Sequence, residues 1–389
     1  MNKYFVSNAN IVCKDKILYD RSLLIESGKI KKITAGKINS PDVIDAGGNY
    51  LCAGFIDMHV HGGNGSDFMD ATESDFENIA SYHAVHGTTS LLCTTVASSD
   101  DELFAVLDCF NNYAKTRRRG ANILGIHLEG PYFSYNQRGA QNEKYLKAPS
   151  KEHIGKILSK SNRIMRWSAA PELDNGYILA DICNKNNILL SMAHSGATCE
   201  QGIDAFNRGY KLITHFYSGM NGVTRKDCYR IGGLVETGYL TDGLSVEIIA
   251  DGSHLPKCLI ELIVKIKNHD KIALITDCIR ASGVSGNNLT IGGSTPITVK
   301  NGVAFLADFS SFAGSIATAD QLINTMLDFT GLPIYKIISM ITAAPAELLN
   351  LKNKGVIKEG ADADFVIFSE KNRKIKIEKV AVNGIFVKQ

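Results

Sequence analysis

With 389 residues, a formal net charge of +2 and 21% charged residues, the chain is long enough for a barrel-sized core. It shows no charge excess pointing to nucleic acid or a membrane surface as its main partner. Nine cysteines without a C-x-x-C pair do not describe a disulfide framework and suit a reducing compartment. The opening run MNKYFVSNANIVCKDK lacks the apolar core of a secretory signal, and no stretch approaches the ~18 apolar residues of a membrane-spanning helix, so a cytoplasmic protein is expected.

Residues 1–53 carry short alternating stretches, KYFVSNANIV, SLLIESGKIKKI and DVIDAGGNYLCAG, and read as strands separated by turns. From 54 to 348 the pattern changes. Eight apolar runs recur in order: FIDMHV, TSLLCTTV, NILGIHLEG, IMRWSAAPE, NILLSMAHSG, KLITHFYS, LSVEIIADG and KIALITDC. Helical stretches lie between them, among them ESDFENIASYHAVHG, DELFAVLDCFNNYAKTRRR, CEQGIDAFNRG and LPKCLIELIVKIKNHD. This alternation predicts an α/β fold, a (β/α)8 TIM-like barrel over 54–348. An open doubly wound sheet is the competing architecture, but neither G-x-G-x-x-G nor a P-loop signature is present. The basic run KTRRRG at 115–120 reads as a solvated helix end. The last stretch, 349–389, returns to strands, DADFVIFSE and KIKIEKVAVNGIFVK, with Asn-Gly at 383–384 as a hairpin turn. Neither end holds enough strand to bury a core alone. Residues 1–53 and 349–389 are therefore expected to build one small β-sandwich domain together.

Several barrel strands end in residues that chemistry needs. In GFIDMHVHG the apolar Ile56, Met58 and Val60 alternate with Asp57, His59 and His61, so period two puts the second set on one face. In LGIHLEGP, His127 and Glu129 share a face in the same way. Further strands end on His194, on His215, on Asp251 with His254, and on Asp277. Active sites of such barrels lie at the C-terminal strand ends. Buried imidazoles and carboxylates are costly there unless paired or bound to a cation. One histidine would be a satisfied structural residue; His59, His61, Glu129, His194, His215 and Asp277 converging on one mouth point to a metal site. Imidazole and carboxylate without thiolate suit zinc first and iron(II) second, and suit magnesium or calcium poorly. Cys199 and Cys278 read as packing residues.

The motifs GFIDMHVHGG, HLEGPYFS, AHSGAT, THFYSGM, IADGSH, LITDC, FAGS and GVIKEGADADFVIF together resemble the amidohydrolase superfamily and, within it, the N-acetylglucosamine-6-phosphate deacetylase family, over nearly the whole chain and in the correct order. The resemblance implies a metal-dependent hydrolase that removes the N-acetyl group of an amino sugar 6-phosphate and works as a homodimer. It implies that Glu129, His194 and His215 hold the catalytic metal, and that His59 and His61 serve a second one, giving one or two ions per subunit. It further implies that Asp277 is the catalytic aspartate, that His254 binds substrate, and that Arg225, with Arg230 nearby, binds phosphate on the neighbouring subunit. Related cyclic amidases and dipeptidases need a bridging lysine, and the HLEGP strand has none.

The chain departs from that family in three places. Gln141 stands where the family carries a histidine near the scissile group; it can donate a hydrogen bond but carries no charge or proton. Ser218 and Gly219 replace an Asn-Ala pair near the phosphate, and CIRASG places Arg280 close to the site. These substitutions leave open a related substrate such as N-acetylgalactosamine 6-phosphate. A catalytically weak binding protein on the same fold is the reading from another class.

Overall fold

In the computed structural model, residues 3–116, 119–286 and 289–388 are described. The eight apolar runs form one parallel sheet. Its strands, Phe55–Val60, Thr88–Thr94, Asn122–Glu129, Ile164–Ala169, Leu189–Met192, Leu212–Ile213, Ser245–Ile248 and Ile272–Leu274, pair in chain order. The first and last strands close the ring. Val60 bridges Cys278 in parallel register, and the Asp277 and His61 amides donate to the His59 and Cys278 carbonyls, both at 2.9 Å. Below that seam the Thr276 hydroxyl donates to the Asp57 carboxylate at 2.6 Å. The expected barrel is therefore present.

The helices around it follow from caps and one apolar stripe. Asp100–Tyr113 starts at Ser99, whose side chain accepts from the Glu102 amide while Glu102 reaches back to the Ser99 amide. Its Leu103, Val106, Leu107 and Phe110, at i, i+3, i+4 and i+7, are buried against the barrel. Burying each contributes roughly 1.5–3 kcal/mol. The helix ends before the basic run, of which Arg117 and Arg118 lie outside the described residues. Among the described residues no helix is long and apolar enough to cross a membrane.

Both termini feed a second, mainly antiparallel sheet. Its order is Ile385–Lys388, Lys374–Val382, Phe365–Lys371, Tyr50–Ala53, Lys3–Val12, Ile17–Glu26 and Lys29–Ala35, with Val43–Asp45 also paired to Lys3–Val12. Asn383 and Gly384 both take positive φ, 50° and 73°, as a tight hairpin turn needs. The sheet folds over its own core. Leu23, Ile25, Phe365 and Ile367 share one buried cluster, and the Tyr4 ring meets Phe386 from the far end at 5.8 Å.

One element was not anticipated. A three-stranded sheet, Leu289–Ile291, Thr295–Lys300 and Val303–Leu306, follows the last barrel strand and leans over the mouth. A small exposed hairpin, Thr224–Lys226 with Tyr229–Ile231, extends after the sixth strand.

Candidate active site

Three site residues sit where the backbone turns sharply off a strand. His194, His215 and Asp277 have φ of 46°, 29° and 50°, in the left-handed region that side-chain-bearing residues rarely enter. The turns swing their side chains inward over the barrel axis. Two backbone carbonyls then fix the imidazoles. The His194 Nδ1–H donates to the Gln137 carbonyl at 2.8 Å, and the His215 Nδ1–H to the Ser218 carbonyl at 3.1 Å. With Nδ1 protonated, each ring presents the Nε2 lone pair to the mouth. Gly219 makes room for this arrangement: its φ is 61°, and a Cβ there would stand 2.9 Å from His194 Nδ1.

The donor atoms converge as two sets that share Glu129. His194 Nε2 and His215 Nε2 lie 3.2 Å apart, and Glu129 Oε1 lies 3.4 and 3.2 Å from them. His59 Nε2 and His61 Nε2 also lie 3.2 Å apart, and Asp277 Oδ1 lies 3.3 and 3.2 Å from them. Glu129 reaches this pair with both oxygens, Oε1 to His59 and Oε2 to His61, each at 3.3 Å. Corners of a tetrahedron with such edges stand about 2.0 Å from its centre, which is a zinc–nitrogen or zinc–oxygen bond length. The donor sets therefore fit divalent cations of zinc size. The Glu129–His194–His215 set supplies three corners and leaves one open, as catalytic zinc sites do; the His59–His61 set is completed by Glu129 and Asp277.

The electrostatics agree. Burial works against charge on Glu129 and Asp277, yet the imidazoles around them hold both carboxyls below the usual carboxylate range, Glu129 well below. Burial likewise opposes protonation of His59 and His61, but Glu129 and Asp277 raise them to about 9 and about 10. The carboxylates thus draw positive charge into the mouth. One layer below, the buried Arg166 guanidinium forks onto Glu247 and also donates to Thr214 Oγ1 at 2.9 Å. His127 belongs to this lower layer, with Nε2 against Ser168 Oγ at 2.7 Å. It is not a member of either donor set.

A cavity of about 290 Å³ opens above the donors. Gln141, Ser218, Gly219 and His254 line it, as do Glu129, His194, His215, His61 and Asp277. Gln141 accepts the Ala97 amide on Oε1 at 2.7 Å and donates from Nε2 to Glu129 Oε2 at 2.6 Å. Asp251 Oδ2 accepts from His254 Nδ1 at 2.8 Å, which leaves Nε2 for a ligand, and the Phe312 ring packs on that imidazole at 4.6 Å. A larger cavity, about 830 Å³, lies between the C-terminal hairpin and helix Glu73–Val85, away from these donors.

Arg225 is not brought to the cavity; it lies exposed on the hairpin with Arg230 opposite it. Arg280 does not line the cavity; its guanidinium pairs with Asp70 at 2.7 Å and the buried Asp67 at 3.5 Å. Cys278 is fully buried and Cys199 nearly so, as packing residues should be. The sequence reading missed the orienting carbonyls of Gln137 and Ser218, and the wall formed by Ile291 and Phe312. Asp251, three residues before His254, was the one visible hint of an orienting partner.

Residues 50–387 match the amidohydrolase family. The N-acetylglucosamine-6-phosphate deacetylase of Lysinibacillus sphaericus is 34% identical over 350 residues, covering 89% of this chain and 88% of that protein. The N-acetylgalactosamine-6-phosphate deacetylase of Escherichia coli O157:H7 is 29% identical, covering 90% of each. The crystal structure of N-acetylglucosamine-6-phosphate deacetylase from Pasteurella multocida superposes with a TM-score of 0.91 at 26% identity, over 99% of both chains. The strand-end donors, the closed barrel and these likenesses agree: the chain belongs to the amidohydrolase family and, within it, to the group of the N-acetylglucosamine-6-phosphate deacetylases.

Proposed function

We propose that the chain hydrolyses the N-acetyl group of N-acetylglucosamine 6-phosphate, releasing acetate and glucosamine 6-phosphate. The observation that carries this reading is the open three-donor corner of Glu129, His194 and His215 beside Asp277, on the floor of the cavity. The matched group supplies the substrate class.

An amide is stable and its nitrogen leaves poorly, so the site must make a nucleophile at neutral pH and protonate the departing amine. A divalent cation bound at that corner, zinc in preference to iron(II), supplies a water acidified to near neutral pH and an electrophile for the amide oxygen. Asp277 takes the proton of the attacking water at a carboxylate oxygen and delivers it to the nitrogen as the C–N bond breaks. His254, oriented by Asp251, offers Nε2 as a hydrogen-bonding group to the substrate. His59 and His61, with Glu129 and Asp277, would hold a second ion. Ser218 and Gly219 border the phosphate end.

A 6-phosphate also needs a cation, and the described residues lining the cavity include no lysine or arginine. Exposed Arg225 suits that task if it reaches the neighbouring subunit of a homodimer, where its planar fork binds phosphate oxygens bidentately. The composition and free cysteines fit a cytoplasmic enzyme.

N-acetylgalactosamine 6-phosphate is the second reading. It is favoured by the altered wall at Gln141, Ser218 and Gly219, and by the Escherichia coli relative. Acetate release from a panel of N-acetylated amino sugars, with and without 6-phosphate, tests both. The first reading expects the gluco 6-phosphate to turn over fastest. Preference for the galacto isomer would replace it. Equal rates with and without phosphate would remove the phosphate site.

A further inference from the structure

We infer that Gln141 is a positioning residue that sets the rotation of the Glu129 carboxylate, and through it the grip of the site on its cations. This rests on the reading above only in taking Glu129 as a cation ligand.

Glu129 is the one residue common to both donor sets, so its two oxygens must be divided between them. Oε1 faces His59, His194 and His215 at 3.2–3.4 Å; Oε2 faces His61 at 3.3 Å. A carboxylate turns easily about its last bond, and the four imidazoles would follow cations bound between them, so a contact from outside the donor sets is needed to fix its rotation. Gln141 makes that contact. The Ala97 amide is a donor only, so the end of the Gln141 amide that meets it at 2.7 Å must be the oxygen. The nitrogen is then forced toward Glu129 Oε2, at 2.6 Å. A neutral donor on a buried carboxylate makes a charge-assisted bond without adding a charge that would repel a cation.

The backbone holds the clamp still. The Gln141 backbone amide donates to the Arg138 carbonyl at 2.9 Å across a turn containing Gly139 at φ 55°, and the residue is 9% exposed. Both ends of the side-chain amide are thus committed, with one N–H left for substrate. This explains physically why glutamine serves at a position where the resembling family has histidine. Either side chain can accept from Ala97 at one end and donate to Glu129 at the other.

Gln141→Met keeps the volume and removes both polar ends, whereas Gln141→His keeps an acceptor and a donor. The measurements are zinc affinity by competition with a chromophoric chelator and the visible spectrum of the cobalt(II)-loaded protein. Thermal melting of the metal-free protein serves as the folding control. Gln141→Met is expected to bind zinc about 10–100-fold more weakly and to shift the cobalt spectrum, as loss of an outer-sphere partner does. Gln141→His is expected to restore both. Unchanged affinity and spectrum in Gln141→Met would overturn the inference, and so would loss in a folded Gln141→His. If Gln141→Met does not fold, the histidine variant alone decides. These readouts use no substrate, so a wild-type protein that releases no acetate would end the proposed reaction without touching the clamp.

Discussion

The terminal β sheet and the barrel mouth both enclose carboxylates, and they neutralise them in opposite ways. In the terminal β sheet, Asp362 and Asp364 meet Lys354, and Asp362 also meets Lys29; Lys354 Nζ stands 3.0 Å from Asp362 Oδ2. That cluster carries its own countercharge and is complete as built. At the barrel mouth, Glu129 and Asp277 are surrounded by four imidazoles, and no lysine or arginine lines the described wall. Imidazole offers either a proton or a lone pair, so the mouth can accept a cation that an ammonium would repel. Arg166 with Glu247, one layer down, shows that the same barrel builds a self-neutral pair where no ligand is to enter.

The largest expected effect breaks the mouth. Asp277→Asn should lower acetate release by ~10²–10⁴-fold, the usual worth of general acid–base catalysis. Elemental analysis should still find metal at Glu129, His194 and His215. A metal-loaded Asp277→Asn that kept most of its activity would remove Asp277 from the proton path.

The next effect tests the other half of the contrast. Lys354→Met takes the countercharge from the buried Asp364, which keeps the Asn383 amide, and should cost about 3 kcal/mol, the low end for breaking a buried pair because Lys29 still serves Asp362. Denaturant unfolding would show it, while metal content should not change. The same cluster sets a pH window. Burial opposes the charge on Asp362, but Lys29 and Lys354 hold its carboxyl below its usual range. Its contribution is therefore full above about pH 4 and is lost as the pH falls further. Lys354 is held up by Asp364 and Asp362 against burial, so its contribution persists to about pH 10.4 and is lost above that. A wild-type melting curve that keeps the same pH dependence in Lys354→Met would deny the cluster this role.

Smaller still, His59→Gln with His61→Asn should empty one of the two donor sets. The metal count should fall by one ion per subunit while acetate release continues. If turnover stops although the remaining ion stays bound, the second site is part of the chemistry. The mildest change is Arg225→Ala. It should raise KM for the phosphorylated sugar and leave the unphosphorylated one untouched, and the shift should vanish if the protein is monomeric in solution.

Much of this contrast was legible in the chain. Period-two alternation around His59 and Glu129, and polar residues closing apolar runs at His194, His215 and Asp277, place the donors on one face without any coordinates. The terminal strands were readable for the same reason, and Asn383-Gly384 marked its own turn. What was hidden depends on closure. Arg166 finds Glu247 across 81 residues only once the strands stand in a ring. Arg280 follows Asp277 closely in the chain, yet its ion-pair partners Asp67 and Asp70 stand more than 200 residues earlier, which no local pattern reveals. The three-stranded sheet over the mouth carries only short strands, and its Ile291 reaches the cavity through tertiary placement rather than pattern.

The left-handed backbone at His194, His215 and Asp277 has a consequence for how the protein can change. Each such residue costs on the order of 1–3 kcal/mol, and glycine at the same place would escape most of it. Selection for heat resistance alone would therefore push these positions toward glycine or asparagine and erase the donors one by one. A thermostabilised version obtained by screening for folding should be checked first at 194, 215 and 277. At these positions the gain in stability and the loss of a proposed donor are the same substitution.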